Sequence, residues 1–220
     1  MNFKKIFLIL GIVLLIIIIG ICVFFNYKKI NFGNNMSNKS IEEMEQYILN
    51  ISSYEAKIEV TVTSNKNENK YKMTQKYADN CYKQEVEEPS NISGMQTILS
   101  DNKLEIKNTK LGATTVLDNF PCIAENSLWL TSFINDYKNS SNKSIKEKDE
   151  FWVMEVNVQN SSKYLSSKTL YIDKKTGKPT KLCINDENNK TLIYILYNEI
   201  NFDSISKDEV VAFNIPNLFI

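Results

Sequence analysis

Residues 53–62 read SYEAKIEVTV, and apolar and polar side chains alternate through the whole stretch. The apolar members run from Tyr54 to Val62 at every second position, and Glu55, Lys57 and Glu59 lie among the polar residues between them. A period of two puts the apolar side chains on one face of a β-strand and the polar ones on the other. The stretch therefore predicts an antiparallel sheet with one face on a core and one face in water.

The same period recurs along the chain and predicts about nine or ten antiparallel strands in all. Turn residues such as Asp101-Asn102 and Leu111-Gly112 separate the runs. Residues 138–150 are rich in Lys, Ser and Asn and predict a polar loop. The other predicted strands cover residues 71–77, 81–88, 95–100, 103–107, 113–117, 152–158, 168–173, 181–185 and 191–197.

Two segments with helical spacing interrupt or precede these strands. Ser40 and Glu43 have the form of a capping box, and apolar residues follow at helical spacing, which predicts a helix over residues 40–52. A second helix is predicted over residues 126–137, with Asn126 or Ser127 as its N-cap. The fold class is therefore α+β: a curved antiparallel sheet, an incomplete barrel, with two or so packed helices.

The N-terminal segment 6–25, IFLILGIVLLIIIIGICVFF, carries no charge. Twenty helical residues match the roughly 30 Å hydrocarbon core of a bilayer. The segment is longer than a typical signal-peptide core and no small-x-small site follows it, which favours an uncleaved signal anchor. The predicted domains are a cytoplasmic tail (1–5), a transmembrane helix (6–25), a linker (26–39) and an extracytoplasmic domain (40–220) in a single-pass arrangement.

Cys22 raises the question of a lipid anchor, because a lipoprotein signal has a small residue just before the acylated cysteine. Ile21 occupies that position here. We therefore interpret Cys22 as an apolar helix residue, with lipidation as the less favoured alternative.

The composition restricts the chemistry. The chain has no His and no Arg, so a Ser-His-Asp triad, an imidazole metal site and a guanidinium clamp are excluded. The net charge is zero, with 26 basic and 26 acidic residues, which argues against nucleic acid as a partner. Catalysis by carboxylates such as Glu85, Glu87 and Glu88 is the remaining enzyme hypothesis, and a solvated strand end is the preferred interpretation of that run. We expect no enzyme activity, no cofactor and no metal site.

The predicted domain holds Cys81, Cys122 and Cys183, an odd number without the spacing of metal ligands. Buried thiols that act as small apolar residues are the favoured interpretation. One disulfide with one free thiol is the alternative.

Several segments carry a resemblance to the LolA/LolB family of lipoprotein-carrier folds. They are residues 53–60 after the first helix, 71–77 followed by Val86-Glu87-Glu88-Pro89, and the strand and turn LYIDKKTGKP at 170–179. The segment NSLWLTSFINDYK, residues 126–138, is similar to the branch of GerS-like germination lipoproteins of spore-forming clostridia. The resemblance extends over residues 40–202.

The resemblance implies a noncatalytic protein that binds and activates a zinc-dependent N-acetylmuramoyl-alanine amidase of the spore cortex. It implies a place at a membrane of the forespore or spore envelope, and a homodimer is a further expectation. The alternative is a carrier that binds acyl chains in the concave sheet. Its cavity would be lined by inward side chains, and packing on the helices is the simpler explanation for them: Tyr54, Ile58, Tyr71, Met73, Trp152 and Met154.

Two apolar tracts are the candidate partner surfaces. The run 191–197 is apolar on both faces, which predicts a strand that is covered on both sides or that carries an interface. The C-terminal run 213–220 is apolar for a tail and is expected to dock on this domain or on a partner. Trp129 could be a hot spot, although its helical position favours the core. The candidate partner-binding residues are Leu192, Tyr194, Leu196, Phe213, Leu218 and Phe219.

Overall fold

The structure is a computed structural model that describes residues 39–64, 66–120 and 127–211. Three helices and eleven strands lie within these residues. The helices are α1 (Ile41–Leu49), α2 (Leu130–Asn139) and α3 (Lys207–Val211). The strands are β1 (Ser53–Thr63), β2 (Glu68–Ala78), β3 (Cys81–Glu88), β4 (Met95–Ser100), β5 (Lys103–Asn108), β6 (Ala113–Leu117), β7 (Lys143–Lys148), β8 (Phe151–Ser162), β9 (Leu165–Asp173), β10 (Pro179–Asn185) and β11 (Thr191–Phe202).

All eleven strands form one antiparallel sheet in the order β6-β5-β4-β3-β2-β1-β11-β10-β9-β8-β7. The first and last strands pair with each other at the centre, where Tyr54 lies opposite Phe202 and Val60 opposite Ile195. Consecutive strands pair on both sides of this central pair, so each half of the sheet is a meander. The sheet is open, and β6 and β7 are its edges.

Helices α1 and α2 pack on one face of the sheet, which we call the helix-covered face. Met44 and Ile48 of α1 and Phe133 of α2 join the main core together with Tyr54 and Ile58 of β1. Each of these side chains is fully or almost fully buried. The opposite face of the sheet, which these two helices do not cover, is the open face.

Helix α1 begins as the sequence predicts. The Ser40 hydroxyl accepts a hydrogen bond from the backbone N–H of Glu43, and the Glu43 carboxylate accepts one from the backbone N–H of Ser40. This reciprocal capping box satisfies two of the backbone donors that a helix N-terminus leaves unpaired. The helix thereby begins at Ile41 and presents its apolar stripe to the sheet.

A buried ion pair fastens α2 to the sheet. Lys168 of β9 shares the helix-covered face with Leu170 and Ile172, and its side chain is 1% exposed. Its ammonium group lies 2.6 Å from Asp136 Oδ2 and donates a hydrogen bond to Ser132 Oγ at 2.8 Å. Burial lowers the pKa of Lys168, and the carboxylate of Asp136 opposes that shift. The charge is retained inside the core because two α2 side chains, one turn apart, compensate it.

The prediction of an α+β domain built on an open antiparallel sheet with few helices is confirmed. Three details of the prediction were wrong. The segment predicted as a polar loop contains the edge strand β7, the short helix α3 was not predicted, and α2 has Trp129 as its N-cap without a side-chain cap bond. No helix within the described ranges is long and apolar enough to cross a membrane. The predicted span 6–25 and Cys22 lie outside those ranges.

Two buried tyrosines should differ in how replacement by phenylalanine changes the stability of the protein. The backbone N–H of Leu130, at the start of α2, donates to the Tyr54 hydroxyl at 3.3 Å. The Tyr197 hydroxyl is buried with no hydrogen-bond partner among the described residues. Tyr54→Phe should lower the free energy of unfolding by about 1–3 kcal/mol, because it leaves a buried N–H unpaired, whereas Tyr197→Phe should be neutral or stabilising. Urea unfolding of both variants tests this, and equal losses would contradict it.

Candidate functional site

The open face of β8–β11 carries a continuous set of apolar and aromatic side chains. The register brings them side by side, because Cys183 lies opposite Tyr194, Lys181 opposite Leu196 and Tyr171 opposite Val153. Alternation places all of them on the face that α1 and α2 leave uncovered. We call this set the open patch: Phe151, Val153, Tyr171, Lys181, Cys183, Leu192, Tyr194 and Leu196.

Lys181 lies at the centre of the open patch. Its ammonium group is 4.0 Å from the ring centroid of Tyr171 and 5.9 Å from that of Tyr194. The Phe151 ring packs edge-on against Tyr171 at 6.2 Å. A lysine held over aromatic rings covers apolar surface with its stem and interacts favourably with the ring faces.

The ionisable groups of the patch other than Lys181 remain neutral near pH 7. Burial raises the pKa of the Cys183 thiol and of the Tyr171 and Tyr194 phenols. Val153 and Cys183 are buried, with 2% and 9% of their surface exposed. The patch therefore presents half-buried aromatic rings and aliphatic side chains with a single positive charge. Such a surface can bind an apolar protein surface, since aromatic residues and desolvated contacts supply most of the binding energy at interfaces.

The other half of the open face is charged. Cross-strand ion pairs join Lys76 to Glu55 at 2.9 Å and Lys57 to Glu199 at 3.1 Å. Lys72 pairs with Glu88 at 3.0 Å on the same half. The apolar set consequently ends near the β11–β1 boundary, which gives the patch a definite border.

The structure brings Leu192, Tyr194 and Leu196 together on the open face, on the strand that borders the charged half. Phe213, Leu218 and Phe219 lie outside the described residues. Strand β11 is paired on both sides, with β1 and β10, so a partner cannot add a strand to it. On its helix-covered face Ile195, Tyr197 and Ile200 are buried, while Leu192, Tyr194 and Leu196 on the open face are half-buried. An interface on this strand therefore uses side chains only.

Sequence analysis missed the members of this site that lie on β8, β9 and β10: Phe151, Val153, Tyr171, Lys181 and Cys183. The available signal was the alternation of side chains along β9 and β10. It puts Tyr171 on the other face of the sheet from Leu170, and Cys183 on the other face from Leu182. Their proximity to Tyr194 depends on the order of the strands, which the period of two does not give.

The inward side chains that could have lined a carrier cavity belong to the core instead. Tyr54, Ile58, Met73, Trp152 and Met154 are buried members of the main core cluster, and Tyr71 packs against it. Trp129 is also core, with its ring 5.1 Å from that of Tyr82. Packing on the helices thus accounts for all of these residues.

The acidic run of β3 does not form a common site. Thr74 donates to Glu87 at 2.6 Å, Gln96 donates to Glu85 at 2.9 Å, and Glu88 pairs with Lys72. Each carboxylate therefore has a separate partner on a neighbouring strand. Within the described ranges, no group of His, Cys, Asp or Glu could hold a metal ion. Cys81 and Cys183 are buried free thiols, and Cys122 lies outside those ranges.

Comparison with known protein families identifies the family of this chain. The family model for sporulation proteins of the YdcC-like type matches residues 4–210. The chain belongs to the YdcC-like sporulation protein family. The comparison with curated proteins gives no match.

Several solved structures are similar to this chain. A chain in the structure of the CwlD amidase from Clostridioides difficile with the GerS lipoprotein is 24% identical, with 72% of this chain and 91% of that chain covered and a TM-score of 0.47. An uncharacterised conserved protein from Thermus thermophilus is 10% identical, with 81% and 96% covered and a TM-score of 0.52.

The LolA superfamily protein NE2245 from Nitrosomonas europaea is 9% identical, with 80% and 98% covered and a TM-score of 0.42. The sequence resemblance is confirmed, since the family is one of sporulation proteins and both the GerS complex and a LolA superfamily protein are among the matched structures. At these identities the structural likenesses concern the fold alone.

Proposed function

We propose that this protein is a noncatalytic binding protein of spore formation, which binds and activates an N-acetylmuramoyl-alanine amidase that modifies cortex peptidoglycan. Membership of a sporulation family supports the process. The open patch is the observation that carries the binding role, because it is an apolar, aromatic surface on a sheet face that α1 and α2 leave uncovered.

The class of partner comes from the resemblance. GerS was solved in complex with the CwlD amidase of Clostridioides difficile, and the sequence segments described above are similar to the GerS branch. A zinc ion, if the amidase is of the zinc-dependent type, belongs to the partner. The chain is assigned no chemical step, in keeping with its lack of His and Arg.

A membrane anchor at residues 6–25 would hold the domain outside the membrane, in the forespore or spore envelope. Tethering confines the domain and its partner to one surface, which raises their effective concentration. The anchor would thereby take the place of the acyl group of a lipoprotein.

The test uses the full chain in detergent micelles, the cortex amidase of the same bacterium and purified peptidoglycan. Light scattering after size-exclusion chromatography gives the stoichiometry of the complex and shows whether the chain is a homodimer. Release of stem peptides with a free N-terminal alanine gives the activity. We expect a complex, a higher rate of release than with the amidase alone, and no release by this chain alone.

The same experiment can overturn the proposal. Absence of a complex would remove the amidase as partner. Co-purified lipid found by mass spectrometry, together with absence of a complex, would replace the proposal with the acyl-chain carrier. Release of peptides by this chain alone, abolished by neutralising one carboxylate, would make it an enzyme.

A further inference from the structure

Lys181, the charged residue of the open patch, has aromatic neighbours and no charged partner. Its ammonium group contacts the Tyr171 and Tyr194 rings, and no carboxylate of residues 39–64, 66–120 or 127–211 lies within ion-pair distance of it. The ring faces attract the charge but do not neutralise it. The patch therefore holds one uncompensated positive charge among half-buried apolar side chains.

Lysines on either side of the patch are compensated by ion pairs. Lys146 of β7 lies 3.0 Å from Glu155 of β8. On the charged half, Lys57, Lys72 and Lys76 each pair with a carboxylate of a neighbouring strand, at 3.1, 3.0 and 2.9 Å. Lys181 differs from these four lysines, although it lies on the same face of the same sheet.

Two carboxylates flank the patch, each two strands away from β10, and both are engaged elsewhere. Glu155 accepts hydrogen bonds from Lys146 through both of its oxygens at 3.0 Å. Glu59 of β1 lies opposite Leu196 and accepts a hydrogen bond from the Asn198 side-chain amide at 2.9 Å. Within the part of the chain that the structure describes, the domain thus provides no counterion at the patch.

A partner that covers the patch changes the environment of this ammonium group. Lys181 is half-buried, so water still solvates its charge in the free protein. A covering surface removes that water, and the loss of hydration of an unpaired ion exceeds what contacts with ring faces return. A carboxylate on the covering surface compensates the charge at the point where water is excluded.

The patch does not complement itself. Two copies joined by a two-fold axis bring the same residues of each copy together. None of the eight side chains of the patch is a carboxylate, so such a contact would place two positive charges in one apolar interface. This arrangement favours a different protein as the occupant.

We infer that the open patch binds a protein surface that is apolar around one carboxylate, an Asp or Glu side chain that pairs with Lys181. Tyr171 and Tyr194 lie beside the pair and exclude water from it, and Leu192 and Leu196 contact the apolar surroundings. Lys181 thereby makes the patch selective, because an apolar surface without a carboxylate leaves the ammonium group unpaired. The inference rests on the proposed function for the identity of the partner, the cortex amidase.

Binding of the amidase to charge variants of Lys181 tests the inference, by isothermal titration calorimetry of the full chain in detergent micelles. Lys181→Met keeps the apolar stem and removes the charge, so Kd should rise about 30-fold or more. Lys181→Glu should raise Kd about 100-fold or more, because two carboxylates then meet. Lys181→Arg keeps the charge and should bind within about threefold of the unaltered chain.

Two controls show that a loss of binding belongs to the pair. Lys138→Glu makes the same charge reversal at an exposed position of α2, on the helix-covered side of the sheet, and should leave Kd unchanged. Amidase variants with single surface Asp→Asn or Glu→Gln changes then identify the partner group. One of them should weaken binding to the unaltered chain about 30-fold and have no further effect on Lys181→Met, because the pair is already lost in that chain.

A phage-displayed library of random peptides tests the inference without the amidase. Peptides that bind the unaltered chain but not Tyr194→Ala are specific for the open patch. We expect them to share one Asp or Glu among apolar residues. Peptides selected on Lys181→Met should lack that preference.

The outcomes separate this inference from the proposed function. If the amidase bound Lys181→Met as tightly as the unaltered chain, the inference would be wrong and the proposed function would stand. If the amidase did not bind the unaltered chain, the proposed function would fail and the peptides would decide the inference alone. Patch-specific peptides without an acidic residue, or no peptide that depends on Tyr194, would overturn it. A fatty acid that co-purifies with the chain and is lost in Lys181→Met would replace the protein partner as the occupant.

Discussion

Replacement of Asp136 with alanine should lower the free energy of unfolding by about 3–5 kcal/mol, the loss typical of a buried charge that is left without its partner. Lys168 is almost completely buried and depends on Asp136 and Ser132 for compensation. After the substitution, only the Ser132 hydroxyl remains to hold the ammonium group. Urea unfolding followed by circular dichroism measures the loss.

A cycle of variants separates two contributions to the free energy of unfolding: the destabilisation by an unpaired buried charge and the net stabilisation by the ion pair. Asp136 is 26% exposed and can be hydrated when its partner is removed, so Lys168→Met should cost less than Asp136→Ala. The double variant Lys168→Met/Asp136→Leu should recover most of the loss, because no charge is then buried. If Asp136→Ala and the double variant were equally unstable, the buried charge would not be the cause.

The sequence analysis did not single out Lys168, although the pattern around it was there to be used. The alternation of Lys168, Leu170 and Ile172 places the lysine on the apolar face of a predicted strand. Its partners could not be predicted, because Ser132 and Asp136 lie on a helix whose position over β9 depends on the order of the strands. Sequence alternation can thus reveal a polar residue that faces the core, but it does not reveal which residues pair with that group.

The strands were predictable where burial imposes the period of two. Strand β1 is half-buried, and its inward residues Tyr54, Ala56, Ile58 and Val60 are buried as the pattern requires. Strand β7, KSIKEK, has a single apolar residue, Ile145, and so gives no such pattern. It is an edge strand, where charged side chains are favoured because they prevent edge-to-edge association. Backbone pairing with β8 forms this strand without help from an apolar face.

The candidate site was predictable in part for the same reason. The six consecutive apolar residues 192–197 exceed what one buried face requires, which indicated a strand that is covered on both faces or that carries an interface. The rest of the open patch comes from three neighbouring strands. Tyr171 and Cys183 reach Tyr194 through the pairing of β9 with β10 and of β10 with β11, and local sequence does not encode that register.

Tyr194→Ala should weaken binding of the amidase at least about 30-fold, which corresponds to about 2 kcal/mol. Tyr194 is a half-buried aromatic residue of the open patch, opposite Cys183 and with its ring 5.9 Å from the Lys181 ammonium group, so a partner that covers the patch would remove the rest of the ring from water. Tyrosine is also enriched among residues that dominate interface energies. Isothermal titration calorimetry of the full chain in detergent with the amidase measures the change in Kd. This prediction rests on the proposed function.

Matched variants distinguish loss of the patch from loss of the fold. Tyr164→Ala makes the same chemical change at a turn residue that is exposed and outside the patch, and should leave Kd unchanged. Tyr194→Phe keeps the ring and should retain most of the affinity, because burial of the phenol points to contact through its apolar area. If Tyr194→Ala bound the amidase as tightly as the unaltered chain, the open patch would not be the surface that binds the amidase.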